Sequence, residues 1–283
     1  MKNILLPTDF SENSWNAITY AIQFFKNSDC NFYLLHVKKP SDIVLDDAVY
    51  NPPFNDTKRN SHAKPTELLL QDIQERILKH FPKNKKHQFY TLIERRFFIE
   101  SIRSCVVQKK IDIIVMGTKG ATGLDKIIVG TNTADVITKV KCSTLAIPEN
   151  ARFSKLKAIA FPTDFSLTYN IQVLQPISDV LKNHHSILRI VHISKNETNL
   201  NDDQNKHKAL LEDYFNTYQH SFHFLKSKKV EHTIQCFVTD KNINMIFMVA
   251  KNLNYFQQIL FHSKIKEISY HTDIPFLVLH EKN

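Results

Sequence analysis

Residues 4–11 read ILLPTDFS, and residues 159–166 read IAFPTDFS. The same phrase occurs twice, 155 residues apart. Each copy joins a short apolar run, long enough for a buried strand, to a Pro-Thr-Asp-Phe-Ser turn whose serine can cap a following helix. Fainter echoes surround the repeat. LHVKK at 35–39 answers VHISK at 191–195. IIVMGTKGATGLDKIIVG at 113–130 runs ungapped against MIFMVAKNLNYFQQILFH at 245–262, and CSTLAIPEN at 142–150 answers DIPFLVLHEKN at the end of the chain. A repeat of about 130–150 residues means two tandem units rather than a solenoid of small repeats. The 283 residues therefore divide into units 1–150 and 155–283, with the link between them at 150–155.

Strand and helix patterns alternate within the first unit. Apolar runs at 3–8, 32–37, 87–93, 111–116 and 144–148 have the length of strands. Between them, helical spacing appears in Trp15, Ile18, Ala21, Ile22 and Phe25, over 65–81, over 97–109 and over 131–139. The polar stretch 42–64, with Pro52 and Pro53, reads as an irregular loop. Alternation of this kind predicts an α/β fold, an open parallel sheet with helices on both faces. The strands are apolar throughout, as burial on both sides requires. The second unit is shorter. From His36 to Gly117 is 81 residues, and from His192 to Val249 is 57. A candidate third strand ending at Phe237 leaves six residues, 238–243, before the fourth strand. A parallel crossover takes about a dozen or more, so the expectation is a second copy lacking its third helix.

Glycine usage points to a site. The chain has four glycines, where average usage would give roughly twenty. All four, Gly117, Gly120, Gly123 and Gly130, fall between an apolar strand and a helix start. Glycine permits positive φ and close approach of backbone to a ligand. In open α/β sheets ligands sit beyond the carboxyl ends of the strands, and a helix N-terminus favours phosphate. The loop Gly117-Thr-Lys-Gly120, nine residues, then Gly130-Thr131-Asn132 therefore reads as a phosphate cradle. It is neither a Walker A loop nor a GxGxxG turn. In the second unit the corresponding positions are Val249, Asn252 and His262, with Ser263 keeping a hydroxyl, which reads as a degenerate copy.

The composite of G-x2-G-x9-G-[S/T], PTDFS after the first strand and LHV on the second resembles the universal stress protein family, over nearly the whole chain as two copies. The resemblance implies a Rossmann-like five-stranded parallel sheet in the order 3-2-1-4-5 in each unit. It further implies an ATP site between the first and fourth strands of the N-terminal unit. Carried over, Pro7, Thr8 and Asp9 lie by the adenosine and Val37 by the base. Gly117, Thr118, Gly120, Gly130, Thr131 and Asn132 hold ribose and phosphates. Mg²⁺, if used, leans on the nucleotide. Family architecture also implies that strands 144–148 and 275–280 pair about a pseudo-two-fold, an intra-chain pseudo-dimer that leaves room for a homodimer. Asp9 has a competing role, capping the first helix.

The remaining features narrow the function classes. The implied role is a stress-response sensor or regulator acting through a protein partner. The alternatives are an ATPase or nucleotidyl- or phosphoryl-transfer enzyme on the same fold, and a nucleotide-independent scaffold. No catalytic base stands out near the loop, whose cations are Lys119 and Lys126. The net charge of +9 comes from dispersed lysines, without a nucleic-acid-binding motif, and reads as a solvated surface. No run of about 18 apolar residues occurs, so no membrane span is expected. Neither HExxH nor GxSxG is present. The four cysteines lie apart without a CxxC, which suggests a reducing cytoplasm rather than a disulfide or zinc framework. Cys142 and Cys236 read as small core residues.

Overall fold

The computed structural model describes residues 1–38, 64–118, 131–194, 199–227, 230–251 and 274–281. The first repeat builds β1 (Lys2–Pro7), α1 (Glu12–Phe24), β2 (Cys30–Val37), α2 (Thr66–His80), β3 (His87–Glu94), α3 (Phe98–Gln108), β4 (Ile113–Gly117), α4 (Thr131–Lys139) and β5 (Ser143–Ile147). The second builds β6 (Ala158–Pro162), α5 (Ile171–His184), β7 (Ile187–Ser194), α6 (Asp202–Tyr214), β8 (His220–Lys226), α7 (Val230–Asp240), β9 (Met245–Val249) and β10 (Phe276–Leu279). The irregular loop expected at 42–64 falls almost wholly outside the described residues.

The strands form a ten-stranded sheet in the order β3-β2-β1-β4-β5-β10-β9-β6-β7-β8. Each half has the expected 3-2-1-4-5 order and is parallel throughout. The halves meet antiparallel, with Phe276 opposite Ala146, Leu277 opposite Leu145 and Val278 opposite Thr144. Repeat equivalence explains this register. β4 pairs with β5, and β9 with β10, at the same separation of thirty residues: Ile114 faces Thr144, and Ile246 faces Phe276. Both differ by 132, so Leu145 and Leu277 are equivalent residues facing each other, and the pseudo-two-fold passes between them.

One continuous core lies under α1, α2, α5 and α6. Ile18 and Ile22 of the first helix, Ile177 and Leu181 of α5, and strand residues such as Phe32 and Phe161 fill it. The opposite face carries two separate clusters. Ile102 and Cys105 of α3 sit on Leu5 and Ile114, while Ile234 and Phe237 of α7 sit on Val191 and Ile246. The ordered part of the link is clamped to α1. The amide of Asn16 donates to the carbonyls of Pro148, Glu149 and Ala151 at 3.0–3.2 Å, and its Oδ1 accepts from Arg152 Nη1 at 2.8 Å.

The expectation that the second copy lacks its third helix is overturned. Eleven-residue α7 stands between β8 and β9. The residues read as a strand ending at Phe237 are that helix, and the third strand is HSFHFLK at 220–226. Ile234, Phe237 and Val238 are three and four apart and lie against the sheet, so their β-branched and aromatic character had masked a helical period. The shortening lies elsewhere. Twenty-eight residues, 38–65, join β2 to α2, whereas seven, 195–201, join β7 to α6. Cys236 is exposed on α7, not in the core, while Cys142 is buried as expected.

Candidate functional site

The site is built where the first half of the sheet opens. β1 pairs with β2 from Lys2 to Pro7, but with β4 only at Ile4 and Leu5. The chain leaves β1 in one direction and enters β4 from the other, so the carboxyl ends of these strands part at the switch point. Pro7, Thr8 and Asp9 stand on one side of the gap. Gly117 and Thr118 stand on the other, with Thr131 and Asn132 at the start of α4. Val37 ends the neighbouring β2. Gly120 and Gly130, together with Gly123, Lys119 and Lys126, lie outside the described residues.

Each wall is held by hydrogen bonds. Thr8 is buried; its N–H donates to Leu35 O at 2.8 Å, and its Oγ1 accepts from Phe10 N at 3.1 Å and lies 3.0 Å from Ser14 Oγ. Its carbonyl meets His36 Nδ1 at 2.9 Å. The His36 ring lies 4.5 Å from that of Phe10, which takes the left-handed conformation at φ 65°. That strained turn makes the chain reverse from strand to helix within four residues. Asp9 is exposed, and its Oδ1 accepts from both N–H and Oγ of Ser11. Ser11, not Asp9, is the N-cap of α1, accepting from Ser14 N at 3.2 Å. Asp9 therefore supports the cap from one step away.

The other wall depends on Gly117 and Thr133. A Cβ on residue 117 would come within 2.7 Å of Asn13 Cγ. Here the glycine is needed for space against α1, not for a positive φ. Thr133 is buried, and its Oγ1 donates to Gly117 O at 2.7 Å, tying the first turn of α4 to the end of β4. Thr131 and Asn132 are exposed at the helix start, where the helix dipole favours an anion. Sequence reading missed Asn13, His36 and Thr133. Only His36 had a signal, the LHV phrase echoed around His192.

The second half repeats the turn and covers it with side chains. Phe165 has φ 55°, Asp164 accepts from Ser166, and Thr163 O meets His192 Nδ1 at 3.0 Å. Here the first turn of α1 has no counterpart: α5 begins at Ile171, four residues later than the equivalent of Glu12. Tyr169, at the position of Ser14, reaches Thr163 Oγ1 at 2.8 Å, and burial pushes its hydroxyl up to about 12. The short β7–α6 connection brings α6 over the turn. Gln204 donates to Asp164 O at 2.8 Å, while His207 contacts Phe165 O at 2.7 Å and Thr168 Oγ1 at 2.8 Å. Val249, buried in the core, stands where the first half has Gly117. Asn252 and His262 lie outside the described residues.

Fold and strand ends together define a tandem Rossmann-like α/β protein in which β1 and β4 part at a switch point. The family model described as universal stress protein family matches residues 1–148, and the chain belongs to that family. A universal stress protein of Methanocaldococcus jannaschii is 30% identical over 148 residues, covering 52% of this chain and 81% of that protein. The crystal structure of a universal stress protein from Archaeoglobus fulgidus matches 98% of this chain and 97% of its own, with a TM-score of 0.61 at 17% identity. A protein of unknown function from Pseudomonas aeruginosa PAO1 matches 99% and 92%, with a TM-score of 0.59 at 10% identity. These two structures are like this one in fold. Among the described residues, no helix is long and apolar enough to cross a membrane.

Proposed function

We propose that the chain is an ATP-binding stress-response regulator that holds one nucleotide, in unit 1–150, while unit 155–283 serves as a partner without a nucleotide site. One observation carries this reading: the same strand–turn–helix construction occurs in both halves, but in the second Tyr169, Gln204 and His207 bond to the turn and buried Val249 stands in place of Gly117. The residues present fit a nucleotide. The carboxyl ends of β1 and β4 part, and Thr131 and Asn132 at the start of α4 are exposed.

In this reading Pro7, Thr8 and Asp9 flank the adenosine and Val37 the base. Gly117, Thr118, Gly120, Gly130, Thr131 and Asn132 gather the ribose and phosphates. Bound ATP contributes negative charge and, through its phosphates, a seat for Mg²⁺. Thr133 keeps the α4 N-terminus aimed at the phosphates by holding Gly117 O. Occupancy then sets how firmly α4 is fixed, and a protein partner reads that state. Four free cysteines support a cytoplasmic setting.

The test is to denature the purified protein and identify any released adenine nucleotide, then to titrate stripped protein with ATP by calorimetry. ATP released, or a saturable titration near one per chain, supports the reading. ADP in place of ATP supports the site and favours turnover. No release together with no binding of added ATP overturns it in favour of a scaffold.

A further inference from the structure

The second half carries a cluster that the first does not. Arg189 lies on β7 and faces α7, on the same side as Val191 and Ile193, which pack against Phe237. Beside it on β8 are Ser221, its register partner, and His223. Arg189 Nη1 lies 3.4 Å from Ser221 Oγ, and Ser221 Oγ lies 2.9 Å from His223 Nε2. The His223 ring meets Phe237 edge-on at 5.0 Å. Lys241 closes the end of α7, donating its N–H to Phe237 O at 3.0 Å, with its side chain exposed. In the first half the matching register pair is Tyr33 and Tyr90, two stacked rings 5.2 Å apart. The polar cluster is therefore not a requirement of the fold.

Its charge has no carboxylate partner among the described residues. Arg189 Nε is buried without an acceptor. A guanidinium taken partly out of water is normally paired. Burial holds the His223 imidazole below its usual range, and the nearby Arg189 and Lys241 charges push the same way. A guanidinium, a hydroxyl and an imidazole thus stand together at one half-buried spot, with Lys241 at the end of the helix packed over it.

We propose that Arg189, Ser221, His223 and Lys241 form a binding site for a phosphate-type oxyanion. A planar fork matches two oxygens of such an ion, while the ammonium and hydroxyl serve the others. The ligand is inorganic phosphate or the phosphoryl group of a monoester. The site is separate from the β1–β4 crevice and does not depend on the nucleotide reading.

The experiment uses the full ¹⁵N-labelled chain at pH 7, with ionic strength held constant by NaCl. The His223 ring nitrogens, assigned with H223Q, are followed while inorganic phosphate and, separately, glycerol phosphate are added. The expected result is a saturable shift toward the protonated imidazole. Affinity should fall at least tenfold in R189Q and severalfold in K241Q, whose exposed side chain can be changed without disturbing the core. Tighter binding of glycerol phosphate identifies a monoester ligand, and tighter binding of inorganic phosphate identifies the free ion. A shift that does not saturate, one that NaCl alone reproduces, or one undiminished in K241Q and in R189Q of unchanged melting temperature overturns the proposal.

Discussion

The side chain of Asn13 fills the space that a side chain on residue 117 would need: a Cβ there would lie 2.7 Å from Asn13 Cγ and 2.9 Å from Oδ1. Helix α1 and strand β4 are thus fitted to each other at the mouth of the crevice. In the second half the equivalent positions are Thr168 and Val249, and the helix starts later. Gly117→Ala should therefore destabilise the protein by about 1–3 kcal/mol, the usual range for overpacking. Adding Asn13→Thr should recover part of that loss. Thermal melts of both single variants and the double variant give the coupling energy; strict additivity would show that the contact is not the cause.

Stoichiometry separates the halves. With Val249 in place of Gly117 and Tyr169 bonded to the second turn, calorimetry on the full chain should give about one ATP per chain. Gly130→Val should abolish binding, and Val249→Ala should leave the ratio unchanged. A ratio near two would mean that the second half binds as well. Ligand at 100 times its Kd should also stabilise the fold by about 2.7 kcal/mol through mass action, visible as a higher Tm.

Asn16 holds the link between the halves by donating to three carbonyls and accepting from Arg152. It is buried, so Asn16→Ala leaves polar groups without partners at a cost of about 1–3 kcal/mol. Urea denaturation should show a lower midpoint. If the link is what keeps the halves in step, the variant should also lose the single cooperative transition.

Acid should weaken the fold before any carboxylate titrates. Burial holds His280 below its usual range, with Ile137 O, 3.0 Å from its Nε2, opposing only in part. His184 and His87 are lowered for the same first reason. Their folded pKa values lie below the unfolded 6.5, so the unfolded chain takes up more protons as pH falls. Stability is complete above about pH 6.5 and is lost progressively below it, until the folded values are passed. Glu12, lowered by its hydrogen bonds with Arg76, acts in the same direction at lower pH, below its unfolded 4.5. Tm should stay level from pH 8 to 7 and fall between 6.5 and 5. His280→Gln, which keeps a donor for Ile137 O, should fall less steeply; an unchanged slope would exclude His280 as a contributor.

Much of this was legible because local pattern and global fold agree. Apolar runs of strand length, helical stripes between them and the doubled PTDFS turn are each satisfied by neighbours a few residues away. They fixed the parallel α/β class, the repeat and the first-half strand ends without knowledge of the packing. The β5–β10 joint was expected from the family resemblance, and the strands do pair there. Tertiary structure decided the rest. A run such as VEHTIQCF suits strand and helix alike, and burial of Ile234 and Phe237 against Val191 and Ile246 selects the helix. The role of Gly117 depends on Asn13, 104 positions away in the chain. The contacts of Gln204 and His207 with the second turn depend on α6 being carried over it by a short connection. Contacts between residues distant in sequence leave no periodicity to read, and only the folded chain brings them together.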